Sequence, residues 1–290
     1  MKFNAHNILL PNGNKTIGQS NSILADKPVM SAIKRSINSF LPTPPEERKN
    51  IKVVDLGCME GGYSTEFARM GFDTLGIDAR KQNLLKAMYI KLSLNLPNLN
   101  FVRDDARNVA KYGKFDLTFC FGLLYHLNDP VKFLETLGSQ TNKLLILHSF
   151  YAPEQDFLYD LRTSMNPLLK PFFKKKRQQF NQDEISQDEF TSYIQHVKNY
   201  RLSKLTENEG YMGRWFREWD EKKDKERVET MPGASYNNPL SFWLCKNEII
   251  RALYQAGFDS VYEQHDNIGD RGTLNQKDYY GRVLLVAVKK

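Results

Sequence analysis

Val54-Asp55-Leu56-Gly57-Cys58-Met59-Glu60-Gly61-Gly62-Tyr63-Ser64 decides how this chain is read. Lys52–Leu56 reads as a buried strand, it ends in a glycine-rich turn, and residues 63–70 then have helical spacing. Glycines at such a junction relieve the tight turn and let a ligand approach the backbone. The same rhythm continues on the C-terminal side. Asp73–Asp78 is a second strand, followed by a helix rich in Leu, Lys and Ala to about Leu94. Residues 100–103 give a third strand, Phe115–Phe121 a fourth and residues 144–147 a fifth. Strands separated by helices at this pitch predict a doubly wound α/β fold with a mostly parallel sheet and helices on both faces.

The pattern stops after residue 150. From 151 to about 235 the chain is polar, charged and mostly helical in spacing, with no apolar strand. That is too long for a structureless loop, so the expectation is an inserted helical lid. Strand and helix return at 246–256 and 257–262, and the last strand is Arg282–Val288. No helix separates the final two strands, which predicts that they pair antiparallel. The expected organisation is an N-terminal arm and helix (1–50), a cofactor-binding core (51–150), the helical insertion (151–235) and the C-terminal part of the core sheet (236–290). In the arm, residues 13–18 read as turn chemistry, 28–41 as a helix and Leu41-Pro42-Thr43-Pro44-Pro45 as a linker. Such an arm either covers a sheet edge or closes over a ligand.

Composition narrows the classes. With 41% hydrophobic and 26% charged residues the chain is that of an ordinary globular protein. No stretch reaches the roughly 20 apolar residues of a membrane span. The first residues lack the apolar core of a secretion signal, and Cys58, Cys120 and Cys245 fit neither a metal spacing nor a disulfide framework. A cytoplasmic protein with reduced thiols and no metal is expected. The net charge of +7 is a mild excess, much of it in Lys170-Pro171-Phe172-Phe173-Lys174-Lys175-Lys176-Arg177. That run reads either as a solvated helix end or as a phosphate-holding patch.

In open parallel sheets ligands bind at the carboxyl ends of the strands. A dinucleotide fingerprint requires G-x-G-x-x-G, but Met59 holds the middle glycine's place and the acid Asp55 precedes the turn. An acid there suits a positively charged cofactor better than a pyrophosphate. Asp78 ends the second strand, where a carboxylate can accept from both ribose hydroxyls. Asp105 follows the third strand and is placed for an adenine amino group. Phe121-Gly122 ends the fourth with an apolar wall and a bare backbone. Each alone is an ordinary strand end; the four in succession make the argument.

On these residues 51–148 and the terminal strands, the chain resembles the class I S-adenosylmethionine-dependent methyltransferases. The resemblance implies a seven-stranded sheet with an antiparallel last strand, and S-adenosyl-L-methionine as cofactor. It further implies Gly57 and Gly61 around the methionine part, Asp78 on the ribose and Asp105 on the adenine. Asp55, Cys58, Ala106, Phe121 and Gly122 complete the expected cofactor set. Met59 departs from the family, many members of which have glycine there.

Gly122-Leu123-Leu124-Tyr125-His126-Leu127-Asn128-Asp129-Pro130 is similar to a stretch in enzymes that transfer a carboxymethyl group to a tRNA wobble uridine. It also resembles methyltransferases of small molecules and sugars. A hydroxyl acceptor must lose a proton, and His126 is the expected general base, with His148 second. Tyr125, Arg214, Asn238, Ser241 and Trp243 are the expected acceptor contacts. The leading expectation is O-methylation of a small metabolite or glycan precursor. The alternatives are a tRNA wobble-uridine modifying transferase, less favoured because the cations form one patch, and a non-enzymatic cofactor-binding regulatory subunit.

Overall fold

The computed structural model describes residues 2–18, 22–154, 202–231, 233–265 and 281–290. Its centre is a seven-stranded sheet. In chain order the strands are β1 (Lys52–Leu56), β2 (Asp73–Asp78), β3 (Leu99–Arg103), β4 (Phe115–Phe121), β5 (Thr141–Phe150), β9 (Ser260–Glu263) and β10 (Arg282–Val288). Their spatial order is β3-β2-β1-β4-β5-β10-β9. The first five pair in parallel, and β10 runs antiparallel to both β5 and β9. The expected doubly wound sheet with an antiparallel last strand is therefore present. Winding reverses between β1 and β4, so the crevice of the topological switch opens at their carboxyl ends.

Alternation along the strands divides the core into two layers. Val54, Leu56, Leu145 and Leu147 pack with α5 (Pro130–Gln140) and a later helix over one face. Val53, Leu117, Phe119 and Ile146 pack with Phe67 of α3 (Gly62–Arg69) and with Met30, Ile33 and Ile37 of α1 (Pro28–Phe40) over the other. The remaining helices are α2 (Pro45–Arg48), α4 (Lys81–Leu94), α6 (Glu221–Asp224) and α7 (Lys246–Gln255). β5 is longer than its apolar centre at 144–147 because β10 pairs with it from residue 144 to residue 150.

The insertion needs correction over its described part. Residues 206–208 and 211–217 are strands β6 (Thr206–Asn208) and β7 (Tyr211–Arg217), and with β8 (Leu240–Leu244) they form a second, antiparallel sheet in the order β6-β7-β8. Helical turns occur only at residues 221–230 among the described residues of this region. Glu209 and Gly210 both take positive φ, 54° and 78°, as a two-residue hairpin turn requires. Polar Thr-Glu-Asn in β6 concealed the strand. β8, expected in the core sheet with 236–290, belongs to this small sheet instead. Phe242 N–H donates to Leu127 O at 2.7 Å, which fastens β8 beside the β4–α5 connection. The Glu209 carboxylate accepts from Val131 and Lys132 N–H at the start of α5, at 3.0 and 2.9 Å. The cationic run ending at Arg177 and the rest of the 155–201 stretch of the expected helical lid lie outside the described residues. No helix among the described residues is long and apolar enough to cross a membrane.

Candidate active site

A cavity of about 720 Å³, counted with its open mouth, lies at the carboxyl ends of β1 to β4. Gly57, Asp78, Asp105, Ala106, Phe121, Gly122, His126 and Asn238 line it, all named from the sequence. Met59, Arg80, Arg107 and the 234–237 segment line it as well.

The glycine turn is built on left-handed residues: φ is +70° at Gly57, +50° at Met59 and +76° at Gly61. Gly57 and Cys58 N–H both donate to Ile77 O, at 2.9 and 3.0 Å, which lays the turn across the end of β2. Met59 therefore takes a conformation in which glycine is free of strain, at a cost of about 1–2 kcal/mol. Its N–H donates to Asp78 Oδ2 at 2.9 Å. Asp78 also accepts from Arg80 N–H at 2.8 Å and Asn83 Nδ2 at 3.1 Å. Burial outweighs these bonds and raises the Asp78 pKa. A carboxylate has about four acceptor positions, so Asp78 keeps capacity for a ligand hydroxyl on the cavity wall.

At Asp105 burial pushes the pKa up, but Arg107 and Asn237 outweigh it and hold the carboxyl below its usual range. Arg107 donates from its main chain, Nε and Nη2 at 3.0, 3.0 and 2.6 Å, and Asn237 Nδ2 donates at 2.7 Å. An adenine amino group would have to take the place of Asn237 to reach this carboxylate.

Three of the expected cofactor residues do not line the cavity. Asp55 is buried and accepts from Ser64 Oγ at 2.5 Å, tying β1 to α3; burial first, opposed by the Ser64 bonds, raises its pKa to about 7. The Cys58 thiol is buried, which pushes its pKa well above the ordinary value. Gly61 is needed for packing, since a Cβ there would lie 2.6 Å from the Phe101 ring.

On the other side, His126 Nδ1 stands 2.8 Å from Glu218 Oε1. Glu218 also accepts from Ser241 Oγ at 2.8 Å and from Ser235 N–H at 3.2 Å. Asn238 Nδ2 donates to His126 O at 2.9 Å and to Leu240 O at 2.7 Å, which fixes the same turn. The Glu218 carboxylate is an acceptor to His126 Nδ1, Ser241 and Ser235, so Nδ1 carries a hydrogen, and in the neutral imidazole Nε2 then keeps its lone pair. Glu218 has no local signal in the sequence, being 92 residues from His126.

The other expected acceptor residues do not line the cavity. Tyr125 packs behind His126, against Phe150 and Trp243 at 4.7 and 5.8 Å, and burial raises its pKa to about 12. Trp243 is stacked between Phe150 and Phe216, at 5.1 and 4.7 Å. Ser241 acts on Glu218. Arg214 is wholly buried and donates to Pro153 O at 2.8 Å and Ser203 O at 3.1 Å, so it ties β7 to the segments at Pro153 and Ser203. The second candidate base, His148, is stacked at 4.2 Å on Phe121, behind the cavity wall, and does not itself line the cavity. Burial and then the charge of Arg282 lower its pKa to about 4.

The roof was not legible in advance. Arg80 donates to the carbonyls of Val228, Met231 and Ala234, at 3.4, 3.0 and 2.7 Å, and pins these three positions over the end of β2. Lys81 N–H adds a bond to Glu229 at 3.0 Å.

A bare-backbone turn, an acid at the end of β2, another after β3 and an apolar wall after β4 stand around one cavity, and their chemistry would suit a cationic, ribose-bearing cofactor. The sequence profile of the methyltransferase-domain family matches residues 47–218, well over half of the chain. The chain belongs to that family, the class I S-adenosylmethionine-dependent methyltransferases, and is an enzyme whose cofactor is S-adenosylmethionine. Among curated relatives, a tRNA U34 carboxymethyltransferase of Campylobacter hominis is 34% identical over 31% of this chain and 32% of its own. That of Campylobacter fetus is 26% identical over 53% and 54%. A ubiquinone biosynthesis O-methyltransferase of Proteus mirabilis is 33% identical over 27% and 33%. The chain thus spans between about a third and about half of these relatives' length. Among solved structures, the N-terminal domain of EvdMO1, crystallised with SAH and D-fucose, superposes at a TM-score of 0.58. It is 17% identical over 96% of this chain and 88% of that one, a likeness of fold.

Proposed function

We propose that the chain methylates a hydroxyl of a small, hydroxylated acceptor, with His126 as the general base. The observation that carries this reading is the 2.8 Å contact of His126 with Glu218 at the rim of the donor cavity. When bound, S-adenosylmethionine supplies a methyl group already activated for in-line displacement, so the protein contributes orientation, exclusion of water and a destination for one proton. Gly57 and Gly122 let a ligand lie against the main chain, Asp78 would hold a ribose, and Asp105 with Ala106 would face the base. Nε2 of His126 takes the acceptor proton. Glu218 keeps the imidazole in the Nδ1–H tautomer and stabilises the charge the ring acquires. Ser235 and Ser241 hold Glu218, and residues 234–238 of the roof keep water away.

The test is product formation from labelled donor across a panel of hydroxylated metabolites and sugars, deoxysugars included, with unmodified tRNA in parallel. A methylated hydroxyl product, lost in His126→Ala, supports the reading. An unchanged rate in that variant removes His126 as the base. The tRNA arm is included because curated relatives that match part of this chain are named as tRNA U34 carboxymethyltransferases. Transfer of a carboxymethyl group to tRNA would replace the small-acceptor reading.

A further inference from the structure

Glu60 stands in the glycine turn, yet it does not line the donor cavity. Glu60 is only 1% exposed, and the N-terminal arm fills its carboxylate. Asn4 N–H donates to both oxygens, at 2.9 and 3.2 Å, Ala5 N–H at 3.0 Å and His6 N–H at 3.3 Å. Lys86 of α4 closes the cluster with an ion pair of 2.7 Å. Burial pushes the Glu60 pKa up, but Lys86 and the arm N–H groups outweigh it and hold the carboxyl below its ordinary range.

The arm grips the turn a second time. Gly62 N–H donates to Nδ1 of His6 at 3.1 Å, and a Cβ on Gly62 would lie 2.4 Å from the His6 ring. The ring also packs edge-on against Tyr63 at 5.3 Å. Residues 60 and 62 are thus fastened on both sides of Gly61, one position beyond Met59.

Met59 is where such fastening has a consequence. It is a non-glycine residue in a left-handed conformation, and its N–H supplies one of the three hydrogen bonds on Asp78. A side chain there favours relaxation toward right-handed φ, which would draw the main chain from the cavity wall and strip Asp78 of that bond. Glycine would hold the turn without help; methionine requires neighbours that over-determine it.

We propose that arm residues 4–6, by gripping Glu60 and Gly62, hold Met59 in its left-handed turn and thereby set the affinity of the donor site, with Glu60 as the positioning residue. The proposal rests on the donor cavity described above. Glu60→Gln keeps the size of the side chain but turns an NH2 toward the arm donors and removes the ion pair with Lys86.

The experiment is calorimetric titration of S-adenosylhomocysteine into wild type, Glu60→Gln, Met59→Gly and the double variant, with steady-state kinetics on each. Glu60→Gln is expected to weaken binding about tenfold and to raise KM for the donor while kcat is kept. In the Met59→Gly background the same substitution is expected to cost about threefold or less, because glycine no longer needs the clamp. A purely structural role would lower stability without this coupling. Unchanged affinity in Glu60→Gln, or an equal loss in both backgrounds, overturns the proposal. Wild type that binds no S-adenosylhomocysteine overturns the donor-site reading together with it.

Discussion

Gly57, Asp78, Asp105 and Phe121 reach the cavity from the ends of four consecutive strands, whereas His126 at its rim is held by Glu218, Ser235, Asn238 and Ser241, which come from a small sheet and the loop between its last two strands. The donor side is local: its groups follow one another in the sequence at the pitch of the fold. The acceptor side is assembled over long range, since the Glu218–His126 pair spans 92 residues and the Asn237–Asp105 pair 132. A site whose groups are delivered by topology can be located from strand order. A site delivered by an insertion depends on how the insertion docks, which in this chain is decided by Arg80 and by the Phe242–Leu127 pairing.

The two sides are therefore expected to fail separately. His126→Ala is the most damaging substitution on the acceptor side: turnover falls about 10²–10⁴-fold while S-adenosylhomocysteine binds as before. Equal losses of turnover and of binding would mean that the two sides are one unit. Glu218→Gln weakens the tautomer control of His126 without emptying the pocket, so turnover should fall roughly tenfold to hundredfold. A rate held within twofold would show that the imidazole needs no carboxylate.

The smallest effect concerns pH and the arm. Burial first, opposed by Glu60 and aided by Lys27, lowers the His6 pKa from 6.5 to about 4. The unfolded chain then binds the proton that the folded one refuses. His6 stabilises the fold fully above pH 6.5, and that contribution is lost as pH falls toward 4. Asp55, raised from 3.8 to about 7, works in the opposite direction in much of the same window. A comparison of two proteins cancels Asp55 and isolates His6. Melting temperature followed from pH 7 to pH 4 should decline less steeply in His6→Asn, whose amide oxygen accepts from Gly62 without taking a proton. Parallel curves would show that His6 does not titrate across folding.

The same contrast explains what the sequence made legible. Strands β1 to β4 and β10 are apolar runs bounded by turn residues or charges, and the acids after β2 and β3 lie where the winding places them, so the fold and most of the donor wall were readable. Asp55 lies on Ser64 and outside the cavity lining, which the sequence does not reveal, because an acid in a strand looks the same whether it faces a ligand or a serine nine residues away. Trp243 and Arg214 carry groups typical of binding sites, but the small sheet uses the first as a stacked core ring and the second as a clamp on carbonyls. The small sheet itself was missed since β6 is entirely polar and its hairpin turn, Glu209-Gly210, resembles any flexible link. Glu218 has no neighbouring motif; only contact across the fold marks it.

The central claim, that the cavity at the ends of β1 to β4 is the donor site, is tested most directly by calorimetry of S-adenosylhomocysteine with wild type and Asp78→Asn. The account predicts one site on wild type and a loss of about tenfold to a hundredfold in the variant, the range for hydrogen bonds to a charged group. Binding of equal strength by both proteins would contradict it, because the ligand would then lie somewhere other than against Asp78.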